Sequence, residues 1–141
     1  MAISTVTARS GAAPYSVTLG DDLDHVWTAD EPQDKGGGNL GPDPTRLLLS
    51  SLGACTVITL QMYAARKQWL LAGVEVELQY NPQGKPASGT DITRHVVLRG
   101  ELSEEQRTRL LQVANACPIH NVLVGEVRID TALATASTTT T

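Results

Sequence analysis

Apolar and polar residues alternate singly through "STVTAR", "YSVTL" and "HVWTA", with turn-forming residues between them, which predicts three short strands in an antiparallel meander. The alternation then stops. From Asp30 to Asp43 the chain reads "DEPQDKGGGNLGPD", a loop too long to be a mere connector, and ordered loops of that length usually carry function. A helix follows. Asp43 is placed to cap it and Pro44 to occupy its first position, where the missing proline N–H does no harm, and the pattern continues to about Lys67. Apolar residues cover nearly the whole circumference of this helix, which predicts a central buried helix or one shared with a partner subunit.

Period-two alternation returns in "GVEVELQYN" and "DITRHVVLRG", two strands joined by the turn-rich "PQGKPASG". Ser103 opens a second helix with Gln106 completing a capping box, and in "EEQRTRLLQVANA" the residues Leu110, Leu111, Val113 and Ala114 share one side. Pro118 forces Cys117 into extended geometry, so this helix ends near Ala116 and a short one begins at Pro118. "GEVRIDTAL" is expected to form a last strand, and "ATASTTTT" a disordered tail over residues 134–141. The order βββ-α-ββ-α-β predicts an α+β fold in one domain over residues 1–133, with helices packed on antiparallel sheet.

Composition narrows the functional classes. A chain of 141 residues buries enough surface to hold a core without a disulfide staple. Eleven Lys and Arg against 15 Asp and Glu, with no basic block, argue against nucleic acid or an anionic membrane as the main partner and favour small molecules or proteins. The uncharged run from Leu47 to Ala65 is long enough to span a bilayer, but it contains Ser, Thr, Gln and Gly and lies between amphipathic strands, so no membrane span is expected. "MAISTVTARSG" has no charged segment followed by an apolar one, which favours the cytoplasm, where two cysteines read as free thiols or a redox pair.

Those cysteines, Cys55 and Cys117, are the main candidate chemistry. A thiol of pKa about 8.5 is only a few per cent ionised at pH 7, and the thiolate is the nucleophile. Cys55 lies mid-helix among Leu48, Leu52 and Ile58, where desolvation opposes ionisation and the helix dipole gives no help. Making it mostly thiolate takes a shift of about two units, roughly 2.7 kcal/mol. A unit charge at ~4 Å supplies about 4 kcal/mol at an effective dielectric near ~20, and only about 1 kcal/mol in bulk water. A reactive Cys55 therefore requires a partly buried cation. Arg46, nine residues back, falls on the opposite face and about 13 Å along the axis, and Arg66 falls on the right face but about 16 Å away. The cation has to come from another element or another subunit.

Ser51 and Thr59, one turn to either side of Cys55, are placed to donate hydrogen bonds to a thiolate or a bound peroxide oxygen. Cys117, before Pro118, is placed to cap the short helix, where partial positive charge favours thiolate, and His120 in "CPIH" adds to that when protonated. On this chemistry Cys117 is as good a nucleophile as Cys55. The blander readings are buried core filler for Cys55, surface or satisfied core positions for His25 and His95, and a metal site of Cys55, Cys117 and His120 whose ligands lack paired spacing; no metal is expected.

The run "ADEPQDKGGGNLGPDPTRLLLSSLGACTVITLQMYAARKQW", with "ACPIHNVL" and a final "VRIDTAL" behind it, resembles the OsmC/Ohr family of osmotically inducible and organic hydroperoxide resistance proteins, over about residue 25 to residue 133. The resemblance implies an intertwined homodimer, each subunit wrapping antiparallel sheet around a long central helix, with active sites at the subunit interface. It implies thiol-dependent reduction of organic, and sometimes inorganic, hydroperoxides without a bound cofactor. Cys55 would then be the peroxidatic cysteine and Cys117 the resolving one: the Cys55 thiolate attacks the O–O bond, becomes a sulfenic acid, and closes a disulfide with Cys117. An external dithiol, lipoyl-type in the better-known members, would reopen that disulfide by exchange.

The family's catalytic arginine comes from outside the central helix. Arg9 in the N-terminal hairpin is its loose counterpart here, with Lys35 of the loop as rival. The chain also departs from the family pattern: the glutamate that many members carry in the first turn of the helix, where it orients the arginine, is replaced by Thr45 and Arg46, leaving Asp30 or Glu31 as the substitute carboxylate. That departure, with the mid-helix burial of Cys55, supports a reading from another class, a non-catalytic or weakly catalytic dimer that binds an apolar small molecule at its interface.

Overall fold

Three strands, β1 (Val6–Ser10), β2 (Val17–Asp21) and β3 (Val26–Ala29), form the expected antiparallel meander in a computed structural model that describes residues 3–136. A second antiparallel pair, β4 (Leu70–Tyr80) and β5 (Ile92–Glu101), runs with Val76 opposite Val96, and no strand of one sheet bonds to a strand of the other. Three α-helices complete the described residues: α1 (Pro44–Lys67), α2 (Glu104–Ala114) and α3 (Pro118–Val124). The α+β class and the boundaries of the first two helices agree with the sequence signals.

Those signals act locally as expected. The Asp43 carboxylate accepts the Arg46 N–H at 3.0 Å and the Arg46 guanidinium at 2.9 Å, contacts that hold its carboxyl below the usual range. Arg46, exposed at the start of α1, thus has its charge compensated by the helix cap itself. In α2 the Ser103 hydroxyl accepts the Gln106 N–H while the Gln106 side chain accepts the Ser103 N–H, closing the capping box.

The loop before α1 is ordered around the buried Asp30, whose carboxylate accepts the N–H groups of Glu31, Gly38 and Leu40. A Cβ at Gly37 or Gly41 would run into the carbonyl of Glu31 or Thr28, so close backbone approach explains glycine at both positions. Asp30 is therefore committed to folding the loop and is not a free carboxylate for orienting an arginine.

The two alternatives expected for α1 are separated by its burial. Only one stripe of α1 is buried, Leu52, Thr56, Leu60 and Ala64 at four-residue spacing, and it packs toward β4 and α2. Leu60 and Ala64 join Leu110, Val113 and Ala114 in the core, whereas Ile58 is 49% and Met62 64% exposed. The apolar circumference of α1 is thus not enclosed by its own chain, which has elements enough to cover one side only. One expectation requires correction: residues 125–133 form no strand. A strand needs a neighbour for its backbone groups, and this segment lies exposed with none beside it among the described residues, Val127, Ile129 and Leu133 included. Of the expected tail, residues 134–136 have no regular structure, and residues 137–141 lie outside the described residues.

Candidate active site

One turn beyond Leu52, the buried Thr56 donates its hydroxyl to the Leu52 carbonyl at 2.7 Å and accepts a hydrogen bond from Arg94 Nη1 at 3.1 Å. Arg94 is half-buried on β5, on the same side of the strand as Ile92, Val96 and Leu98. Its Nη2 donates to Asn115 Oδ1 at 2.9 Å and meets His120 Nδ1 at 3.1 Å. A guanidinium has no acceptor, so Nδ1 offers its lone pair and the His120 proton sits on Nε2. The backbone N–H of His120 in turn donates to Cys117 Sγ at 3.3 Å, with Cys117 as the N-cap of α3. Arg94 therefore joins the residue next to Cys55, the end of α2 and the first turn of α3.

This arrangement sets the two thiols apart. Burial pushes the Cys55 thiol up, but hydrogen bonding with the Cys117 thiol, the Ile119 N–H and the Thr59 hydroxyl, together with the positive charge of Arg94, brings it below the ordinary value. Cys117 moves the other way: burial raises it, as does holding its proton toward Cys55, and the His120 N–H offsets this only in part. The expected cap geometry at Cys117 is present, but its expected consequence is reversed, because Cys117 is fully buried and next to a better-placed thiolate. Of the two, Cys55 is the thiol displaced toward thiolate and Cys117 the one displaced away from it. Both are free thiols.

The remaining candidates are spread through the molecule. Thr59 Oγ1 lies 4.0 Å from Cys55 Sγ, the outer limit for a hydrogen bond to sulfur, while Ser51 is exposed one turn earlier. Glu31 borders a hollow with Tyr15, Lys35 and Thr45 at the start of α1, about 16 Å of helix away from Cys55. Arg9 is exposed on β1, paired with Thr18 of β2, and Lys35 borders the hollow beside Glu31, so neither is brought to the thiol by its own subunit. Among the described residues, no group of three His, Cys, Asp or Glu side chains is arranged to hold a metal.

Arg94 was not singled out from the sequence, and His120 was expected as a charge beside Cys117 rather than as a partner of an arginine. A signal existed: in "DITRHVVLRG" the alternation puts Arg94 into the apolar row Ile92, Val96, Leu98, and a charge at a core-facing position breaks the pattern where function commonly resides. Arg94, Asn115 and His120, with Tyr80 and Thr90, are the polar residues lining a cavity of about 590 Å³, whose other walls include Leu48, Leu52, Ile92, Val96, Leu111 and Leu123. An apolar pocket with a few convergent polar groups is the usual form of a small-molecule site.

Comparison with known proteins agrees with this architecture. The family model described as "OsmC-like protein" matches residues 36–132. An OsmC-like protein from Mycoplasma pneumoniae superposes with a TM-score of 0.73 at 25% identity, over 88% of this chain and 89% of that one. An organic hydroperoxide resistance protein from Legionella pneumophila, also described as a predicted redox protein, gives 0.65 at 18% identity over 89% and 91%. The organic hydroperoxide resistance protein OhrB of Bacillus subtilis gives 0.59 at 22% identity over 87% and 91%. The comparison with curated proteins finds no significant match.

Proposed function

The chain belongs to the OsmC-like family, and from that premise we propose that it is a thiol-dependent peroxidase that reduces organic hydroperoxides in the reducing cytoplasm. The observation that carries this reading is the chain of contacts by which Arg94 bonds both Thr56, the neighbour of Cys55, and the ring of His120, whose backbone N–H bonds Cys117 Sγ, with Cys55 displaced toward thiolate and Cys117 away from it. The Cys55 thiolate attacks the terminal peroxide oxygen, the O–O bond breaks, and an alcohol leaves after taking up a proton. Sulfur is oxidised to sulfenic acid and the peroxide is reduced. Cys117 attacks that sulfenic sulfur, water departs, and a disulfide remains. An external dithiol returns both cysteines to thiols by exchange, so no bound cofactor is required. The cavity lined by Arg94, His120 and several leucines has room for an apolar substituent on the peroxide.

The exposed apolar side of α1 and the unpaired segment 125–133 support a homodimer in which a partner subunit covers both. Arg9 and Glu31, remote from Cys55 in their own chain, have a part in the reaction only across such an interface.

Mixing the reduced protein with one equivalent of cumene hydroperoxide is expected to oxidise Cys55 far faster than a free thiol, and peptide mass spectrometry should then show a Cys55–Cys117 disulfide within one chain. Overoxidised Cys55 beside a free Cys117 thiol would remove the resolving role. Oxidation no faster than that of a free thiol would sink the peroxidase reading. The 590 Å³ cavity, with its leucine, isoleucine and valine walls, favours, as the second reading, a dimer that binds an apolar small molecule without catalysis. Ligand binding retained in Cys55→Ser, with peroxide consumption unchanged by the substitution, would select it.

A further inference from the structure

We infer that Arg94 of β5, rather than a cation from the N-terminal hairpin, is the charge that stabilises the Cys55 thiolate, and that His120 is the positioning residue that aims its guanidinium. This rests on the peroxidatic role given to Cys55 above. The first support is the company Arg94 keeps. Its three side-chain partners, the Thr56 hydroxyl, the Asn115 carbonyl oxygen and the His120 Nδ1 lone pair, are all uncharged. Among the described residues no carboxylate forms an ion pair with it. A half-buried arginine that is fixed in place but not neutralised leaves its charge for an anion, and a partly desolvated charge acts more strongly than one in water.

The second support is where the fixing groups lie. Thr56 adjoins Cys55 in α1, so the bond from Nη1 draws the guanidinium to the helix turn that carries the nucleophile. His120 holds Arg94 through its ring while its backbone N–H holds Cys117 Sγ, which ties the cation and the resolving thiol to one residue. Three of the guanidinium's N–H donors are engaged by these partners, leaving two of its five for a sulfur or a peroxide oxygen. The positive charge of Arg94 is also among the influences that lower the Cys55 thiol.

The test is the pH dependence of alkylation at Cys55, followed by peptide mass spectrometry in the full-length reduced protein, with the hydroperoxide oxidation rate of Cys55 measured in parallel. Arg94→Gln, which removes the charge, is expected to raise the alkylation midpoint by about one unit and to cut the thiolate population well below that midpoint about tenfold. Peroxide oxidation should slow by a similar factor. Arg94→Lys should keep most of the lowered midpoint, and His120→Leu should raise it with the circular dichroism spectrum unchanged. Arg9→Gln should leave it where it is. An unmoved midpoint in Arg94→Gln, or a raised one in Arg9→Gln, would overturn the assignment. Should Arg94→Gln fail to fold, Arg9→Gln decides by the same criterion. Because alkylation needs no peroxide, an Arg94-dependent midpoint in a protein that consumes no hydroperoxide would defeat the peroxidase reading and leave the assignment of Arg94 standing.

Discussion

Cys55→Ser is expected to reduce dithiol-dependent hydroperoxide consumption to the uncatalysed background. A serine hydroxyl at this position has no adjacent base, and the surroundings of Cys55 assist a sulfur anion: Thr59 one turn on, the Ile119 N–H, the Cys117 thiol and the charge of Arg94. Cys117→Ser should behave differently. It keeps the nucleophile, so one equivalent of peroxide is still consumed, but without added thiol the sulfenic acid has no neighbour to attack it and climbs to sulfinic acid with further peroxide. Intact-mass spectra would show this as a gain of one oxygen and then two, whereas the wild type loses two hydrogens. Because Cys55 is the thiol displaced toward thiolate, wild-type oxidation should rise with pH through a midpoint below that of an ordinary thiol. Background activity in Cys117→Ser together with full activity in Cys55→Ser would reverse the two roles.

The helix caps, the strand alternation and the two cysteines could be read from the sequence because each is a local pattern. Asp43 before Pro44 and Ser103 before Gln106 specify their helix starts within four residues, and both are found in place. What the sequence withheld depends on partners far apart in the chain. Arg94 reaches Thr56 across 38 positions and His120 across 26, and no spacing rule links such residues. The ionisation of Cys117 was misjudged for the same reason. Its cap geometry is local, but its burial and the thiolate beside it are tertiary. The strand expected at "GEVRIDTAL" failed because alternation states only that a segment suits a sheet, and among the described residues no strand lies beside it. The same holds for α1, whose apolar circumference describes what the helix can be packed against and says nothing about which chain supplies it.

Two residues of α1, two positions apart, separate what one chain supplies from what a partner would. Leu60 is fully buried against Ala64, Leu110, Val113 and Ala114, so Leu60→Ala should lower the unfolding free energy by about 2–5 kcal/mol through lost burial and the cavity left behind. Ile58, on the other side of the helix, is 49% exposed in the chain. If a second subunit covers that side, Ile58→Glu places a charge in an apolar interface with no partner to compensate it, and its effect falls on assembly before it falls on the fold. Light scattering is then expected to give wild-type protein twice the 15.0 kDa chain mass and Ile58→Glu the single-chain mass. Urea midpoints should depend on protein concentration for the wild type and not for the variant. A wild type that is monomeric at all concentrations would refute the dimer, and with it any route by which Arg9 or Glu31 reaches the thiols.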